Sequence, residues 1–367
     1  MALAPFFEGG NLTEEYVLPF IFISIYIFTK YFFTEIEPDT IQIGILGACF
    51  GVSLLLRPNM FAVWLAFCSV IFIHKLLLKE YAAVIRYTLF FIFGILLALL
   101  PAALYLKMTG SFNECVNQYI VFNGLYAASP ARASATFTAF AKSVIKALNT
   151  STIPFVIALF WLFKKNVDCR YRFYVGYGLS FVFSFLLIGL SRMNYLHYNM
   201  VLIPLFVPAI AFCTEKLLAL FSLSKHKIYK LGVPVFVLCV FFNYQILLAM
   251  HICYENIKSD AETYFTSLGK FIDENSVSGD TVSVIGNQCS VYLFTKRESA
   301  SKYIYQMPLA IISEKIKDEY IADIQKAKPY LIIFPLGRFD IHPLFEVIGD
   351  DYHEYYNSEQ HIIYNRK

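Results

Sequence analysis

Three short segments, far apart in the chain, contain side chains whose types could carry out chemistry. They are residues 9–16 (GGNLTEEY), 57–59 (RPN) and 191–198 (SRMNYLHY). An arginine can pair with a phosphate through two parallel hydrogen bonds, and a histidine can bind a metal ion or transfer a proton. These residue types favour a site for an anionic headgroup, with His197 as the candidate metal contact. The candidate substrate-binding residues are Glu14, Glu15, Arg57, Arg192, Tyr195 and Tyr198.

The chain that must position these side chains is strongly apolar. Of its 367 residues, 58% are hydrophobic and 16% are charged. The mean hydropathy is +0.57. Soluble domains are about 25% charged, so the composition indicates a membrane protein. The net charge of +3 is too small to indicate a nucleic-acid partner. The cysteines are scattered singly and predict neither a disulfide framework nor a zinc site.

Eight segments approach the roughly 20 apolar residues that a helix needs to cross a bilayer. They are residues 17–33, 41–56, 60–78, 87–106, 152–163, 173–190, 201–217 and 231–253. Pro58 predicts a tight break between the second and third segments, because proline ends one helix and can begin the next. The predicted fold class is therefore an α-helical polytopic membrane protein of about eight transmembrane helices, followed by a C-terminal α/β domain.

The distribution of Lys and Arg predicts the orientation of these spans. One set of alternating loops carries most of the cations. They are Lys30, Lys75, Lys79, Arg86, Lys164, Lys165, Arg170, Arg172, Lys216, Lys225, Lys227 and Lys230. The opposite short loops contain only Arg57 and Arg192. The cation-rich side is therefore expected to be cytoplasmic. The membrane domain is then residues 17–253. The parts of the chain expected to be external are the N-terminal segment 1–16, the loop 107–151 within the membrane domain, and residues 254–367.

This orientation brings all three candidate segments to the outer face, where polar side chains are functional candidates. Each has a simpler alternative. Glu14 and Glu15 could cap the helix that follows them, since carboxylates favour helix N-termini. Arg57 could extend to lipid headgroups. The tyrosines and His197 could belong to an aromatic belt. The convergence of the segments on one face favours a site.

The second half of the loop 107–151 has an amphipathic pattern. Its apolar side chains fall on one side of a helix, which predicts a helix lying in the outer membrane interface. A plain surface helix is the alternative. The side chains concerned are Phe137, Phe140, Val144, Ile145 and Leu148.

The tail after residue 253 has the pattern of a small α/β layer. Helical spacing covers residues 261–275 and 312–326, and short apolar runs at 281–285 and 330–334 predict buried strands. Residues 285–288 (IGNQ) lack the further glycines of a phosphate-binding loop, so no nucleotide site is predicted there.

The candidate segments also resemble a known family. Residues 9–28 (GGNLTEEYVLPFIFISIYIF), 44–67 (GILGACFGVSLLLRPNMFAVWLAF) and 191–204 (SRMNYLHYNMVLIP) are similar to segments of GT-C superfamily glycosyltransferases. These polytopic enzymes are related to aminoarabinose transferase and protein O-mannosyltransferases. The resemblance covers nearly the whole chain, including the tail, which resembles the external α/β cap of the family.

The resemblance implies transfer of a sugar from a polyprenyl-phosphate donor to a cell-envelope lipid, glycan or protein at the outer face of the plasma membrane. Arg57 matches a basic position near the lipid phosphate, and His197 lies where some members place a metal contact. The cofactor stays unknown, with a divalent cation as the candidate. A transporter or flippase and a polymerase of polyprenyl-linked glycans are the alternatives.

The sequence departs from this family at its N-terminus. Family members begin with a span and a large external loop that holds an acidic general base. This sequence starts with the external segment 1–16. The resemblance therefore implies that the first spans and the general base are missing, and the catalytic residue stays unknown.

Overall fold

A computed structural model describes most of the chain continuously. The described stretches are residues 12–34, 36–121, 171–190, 195–209, 260–286, 288–304, 313–335 and 349–367, with isolated residues between 124 and 145 and between 211 and 258. Contacts divide the chain into two compact units. A helical unit comprises residues 1–122 and 132–253, and a smaller unit comprises residues 123–131 and 254–367.

The described part of the helical unit consists of apolar helices joined by short turns. They are α1 (Thr13–Thr34), α2 (Thr40–Leu56), α3 (Ala62–Leu77), α4 (Tyr81–Met108), α5 (Phe112–Cys115), α6 (Tyr171–Leu190) and α7 (Leu196–Ala209). A π-helical turn, Val116–Val121, follows α5, and α7 begins with the 3-10 turns Leu196–Leu202.

Three of these helices are long and apolar enough to cross a membrane. They are α1, α4 and the Tyr171–Gly189 part of α6, whereas α2, α3 and α7 are shorter apolar helices. The prediction of a mainly helical chain with a small C-terminal sheet is confirmed for the described residues. The eight spans stay a prediction. The segment at 152–163, most of 231–253 and most of the amphipathic pattern in the loop lie outside the described residues.

The ends of α2 are set by local sequence. Asp39 caps its start by accepting a hydrogen bond of 2.7 Å from the backbone N–H of Gln42. The helix ends at Leu56, where Arg57 takes an extended conformation before Pro58. The N–H of Met60 then closes a turn on the carbonyl of Arg57 at 3.1 Å. The predicted break at 57–59 is therefore confirmed.

Aromatic rings form the centre of the helical unit. Phe28 of α1 stacks on Phe67 of α3 at 4.9 Å between ring centroids, and Phe67 lies 5.6 Å from Phe173 of α6. Gly176 lets this contact form, because a Cβ there would lie 2.6 Å from the Phe67 ring. The hydroxyl of Tyr177 donates to the carbonyl of Leu205, which ties α6 to α7. These contacts hold α1, α3, α6 and α7 around one buried core.

Helices α2 and α4 pack with their backbones in direct contact. A Cβ added at Gly47 would lie 2.0 Å from the carbonyl oxygen of Phe91, and one added at Gly94 would lie 2.0 Å from that of Gly44. Small residues allow this close approach, which is typical of helix pairs in membranes. Any side chain at Gly47 or Gly94 would force the two helices apart.

The smaller unit contains one five-stranded sheet with helices on it. Its elements are α8 (Asp260–Glu274), β1 (Thr281–Val284), β2 (Glu298–Ser299), α9 (Glu314–Ala327), β3 (Leu331–Pro335), β4 (Tyr352–Asn357) and β5 (His361–Arg366). The strand order is β2-β1-β3-β5-β4. Strand β1 is parallel to β2 and β3, whereas β5 is antiparallel to both β3 and β4.

Strand β3 is buried on both faces. Leu331 and Ile333 pack in one core with Ile272 of α8, while Ile332 and Phe334 pack in a second core with α9. This double burial explains why the strand is a continuous apolar run. The predictions of α8, β1, α9 and β3 are confirmed to within two residues at each end.

Sequence reasoning missed the hairpin of β4 and β5 at one edge of the sheet. In β4 only Tyr352 is buried, so no alternation of apolar residues marks the strand. Its pairing with β5 is irregular between Glu354 and Tyr356, as in a β-bulge. His361 begins β5 near the rings of Tyr264 and Tyr356, and burial lowers the pKa of its imidazole. Its Nδ1 atom is buried with no hydrogen-bond partner among the described residues.

The glycine contact gives a matched pair of substitutions. Gly94→Ala should destabilise the protein by about 1–3 kcal/mol, because the added methyl group overpacks the α2–α4 contact. Gly44→Ala should be neutral or stabilising by about 0.5–1 kcal/mol, since its Cβ meets nothing within 4 Å. Circular dichroism melting in detergent would measure both. Equal melting temperatures for the two variants would contradict the close contact.

The partly buried imidazole of His361 predicts a pH dependence of stability in the smaller unit. The folded-state pKa of His361 lies below the ordinary value of 6.5, so its contribution is fully present above pH 6.5 and is lost as the pH falls below it. Hydrogen exchange of the β3 and β5 amides should therefore quicken between pH 7.5 and 5.5, after correction for intrinsic rates. His361→Phe should flatten this trend. The same substitution at exposed His353 is the control and should leave it unchanged.

Candidate functional site

Described residues of all three predicted segments meet at one end of the helical unit. Glu14 lies in the first turn of α1, Arg57 directly follows α2, and His197 and Tyr198 lie in the first turn of α7. The short link between α1 and α2 makes them antiparallel neighbours, so the start of α1 lies beside the end of α2. Residues about 40 and 180 positions apart are thereby brought into contact.

The centre of this site is a buried carboxylate. Glu14 is only 3% exposed. Its Oε1 atom lies 2.9 Å from Nε of Arg57, as an ion pair without the alignment of a hydrogen bond. The hydroxyl of Thr13 donates to Oε2 at 3.0 Å, and Nε2 of His197 lies 3.8 Å from Oε1. Burial of a carboxylate is costly unless a cation accompanies it, so Arg57 is the partner that makes this position tolerable.

Aromatic rings cover the other side of Arg57. Its Cζ atom lies 4.8 Å from the ring centroid of Tyr198, at cation–π distance. Tyr198 packs edge-on against His197 at 4.7 Å, and Tyr195 stacks on His197 at 5.3 Å. Arg57 retains 28% side-chain exposure and Tyr195 is 48% exposed, so both can be reached from outside. The arrangement offers a cation and aromatic faces to a ligand while the carboxylate stays covered.

A cavity of about 10 Å³ lies behind the ion pair, room for about one water molecule. Its polar lining comes from Glu14, Asn59 and Tyr198. This cavity is too small to hold a sugar or a phosphate. Asn59 belongs to the predicted segment 57–59 but was not a candidate binding residue, and its side chain lines this cavity.

The two glutamates of the first segment have different roles in the structure. The Glu15 carboxylate accepts a hydrogen bond of 3.1 Å from the N–H of Leu12, which is the helix-capping role given as the alternative. Glu14 points instead to Arg57. Arg192, the remaining predicted residue, lies outside the described residues. That any of these side chains binds a substrate stays a prediction.

His197 as a metal contact stays a prediction. Within the described stretches, no group of three or more His, Cys, Asp or Glu side chains could hold one. The Glu14 carboxylate lies 3.8 Å from the imidazole, and the guanidinium beside that carboxylate would repel a divalent cation. We therefore assign no chemical step to a metal here.

A second polar cluster, missed by sequence reasoning, lies at the opposite ends of the helices. Lys75 of α3, only 5% exposed, is paired with Glu37 and Glu80, and the hydroxyl of Tyr87 donates to Glu37 at 2.8 Å. The Lys75 ammonium lowers the pKa of the Glu37 carboxyl. Arg86 lies 3.4 Å from the same carboxylate. The signal in the sequence was the presence of acidic residues in the two turns beside these cations.

The buried pair predicts strong coupling between Glu14 and Arg57. Arg57→Gln should cost about 3–5 kcal/mol of stability, because it leaves a buried carboxylate without a cation. Glu14→Gln should cost less, since Arg57 is partly exposed. The double substitution should then recover part of the loss caused by Arg57→Gln. Thermal unfolding in detergent, arranged as a double-mutant cycle, measures the coupling.

The matched control for this cycle is the neighbouring carboxylate. Glu15→Gln with Arg57→Gln should give additive losses, because Glu15 contacts the backbone of Leu12 and not Arg57. Additive losses for Glu14 and Arg57 as well would show that the ion pair contributes nothing to the fold.

A known protein family matches the helical part of the chain. A comparison with curated proteins finds no match. A family model described as "Putative competence-induced protein Ccs4 N-terminal domain" matches residues 1–256, which include α1 to α7 and the whole site around Arg57. Because the match covers more than half of the sequence, the chain belongs to the competence-induced Ccs4 N-terminal domain family.

Proposed function

We propose that the protein is a membrane-embedded glycosyltransferase of the GT-C type. It would transfer a sugar from a polyprenyl-phosphate donor to a cell-envelope lipid, glycan or protein. The observation that carries the proposal is the position of Arg57. This partly exposed guanidinium is fixed against Glu14 and Tyr198 at the end of a bundle of apolar helices. A polyprenyl phosphate needs a cation at that depth, because its tail stays in hydrocarbon and its charge at the boundary.

The proposed arrangement in the membrane is multi-pass, with eight spans in the plasma membrane and the sheet-containing unit outside the cell. Three helices of sufficient length and apolarity support membrane insertion. The charges support the sidedness, since Lys75, Arg86 and Arg172 lie at helix ends opposite to Arg57. The family description speaks of competence induction, which concerns when such proteins are made and leaves the chemistry to be argued from the site.

Each side chain of the site would make a different contribution to binding the donor. A guanidinium has five N–H donors, and Glu14 lies against Nε, so the Nη1 and Nη2 groups are the ones suited to a bidentate phosphate contact. Glu14 would fix the orientation of the Arg57 guanidinium. Tyr195 and Tyr198 would supply rings and hydroxyls beside the sugar. The general base of the reaction is not assigned.

Binding of polyprenyl phosphate to the full chain in detergent tests this proposal. Arg57→Lys should weaken binding about tenfold, because an ammonium cannot make the two parallel bonds of roughly 1.5–3 kcal/mol each. Glu14→Gln should leave the affinity within about threefold, a change of less than 1 kcal/mol, since the phosphate contact stays with Arg57. Scintillation proximity with radiolabelled lipid measures each dissociation constant.

The control for this experiment is a cation at the other end of the helices. Lys30→Gln should bind the same lipid as tightly as the wild type does, because Lys30 is exposed near the end of α1 that is opposite to Glu14. Folding of each variant is checked by its melting temperature. If folded Arg57→Lys binds as tightly as the wild type, Arg57 serves only as the partner of Glu14 and the proposed donor site is wrong.

A further inference from the structure

A mostly apolar cavity formed by the described residues lies away from the Arg57 site. It has a volume of about 430 Å³ and is enclosed by α1, α2, α3 and α4 on the side of Lys75. Most of its lining is apolar, including Phe28, Ile43 and Leu46 at its base, which are all buried in the helical unit. This volume lies within the roughly 300–1,000 Å³ of small-molecule sites.

The cavity follows from how the helices pair. The glycine contact draws α4 against α2, whereas α3 packs chiefly against α6. Helices α3 and α4 are joined by a turn of only three residues, yet their main packing partners differ. They therefore diverge from the turn and leave a wedge between them. Phe72 and Ile73 at the rim of the wedge are about half exposed, so it opens sideways from the helices.

The turn end of the wedge is polar and carries an excess of positive charge. Lys75 and Tyr87 line the cavity itself. The charged groups around them are Lys75, Arg86 and Arg172 against Glu37 and Glu80. Within this cluster of described residues, three cations against two carboxylates leave a net charge of +1. The site thus combines an apolar slot with a cationic mouth.

We propose that this cavity holds one acyl chain of an anionic phospholipid, with its phosphate at the Lys75 and Arg86 mouth. The apolar lining suits a hydrocarbon chain and excludes a sugar, which could not satisfy its hydroxyl groups there. The cationic mouth selects an anionic headgroup over a zwitterionic one. This lipid site is separate from the Arg57 site and does not rest on the proposed glycosyltransferase activity.

Native mass spectrometry of the full chain in a non-ionic detergent tests the site. The probes are phosphatidylglycerol and phosphatidylcholine with identical acyl chains, added in equal amounts. The wild type should retain one phosphatidylglycerol molecule in preference to phosphatidylcholine. Thr88→Phe, which fills the slot from α4, should reduce retention at least about tenfold. Ser69→Phe fills it from α3 and serves if the first variant does not fold.

Two controls separate the slot from its mouth. Leu89→Phe adds a similar ring at an exposed position next to Thr88 and should retain the lipid as the wild type does. Arg86→Gln should reduce the preference for phosphatidylglycerol, whereas Lys107→Gln, near the far end of α4, should not. The proposal is overturned if the wild type retains no lipid or both lipids equally, or if the folded slot-filling variants retain as much as the wild type.

Discussion

The ion pair between Glu14 and Arg57 is the constraint on which the candidate site depends. A carboxylate that is 3% exposed needs its cation, and that cation comes from the residue that ends α2. The start of α1 and the end of α2 are thus held together by charge as well as by apolar packing. Once Arg57 is fixed there, Tyr198 can lie against its guanidinium, and the first turn of α7 joins the same surface.

The glycine contact between α2 and α4 has an equally wide effect on the helical unit. It substitutes backbone contact for side-chain packing along one helix pair, while bulky rings fill the space among α1, α3 and α6. Two modes of packing in one bundle cannot produce uniform spacing. The wedge between α3 and α4 is the result, and Lys75, the most buried of the described lysines of the unit, lies at its turn end.

The sequence predicted those features that depend on local pattern. Apolar length located the described helices, Pro58 marked the break after α2, and continuous apolar runs located β1 and β3. The β4–β5 hairpin was not predicted, because the mostly exposed side chains of β4 show no alternation of apolar and polar residues. The contact of Glu14 with Arg57 could not be read from local pattern, since charge bias placed both on one face without saying that they touch. The same limit applies to the pairing of Lys75 with Glu37. In the sequence Lys75 was one of the cations that predicted the orientation, and in the structure it lies in a buried cluster.

The edges of the sheet in the smaller unit bear on its behaviour at high concentration. An open edge with free backbone groups invites pairing with another molecule and hence aggregation. Here one edge strand, β2, is only two residues long, and the other, β4, is interrupted at Glu354 and Tyr356 and presents mostly polar side chains. Neither edge offers a long, flat template. The described strands therefore give the sheet little tendency to pair with another copy, even at high concentration.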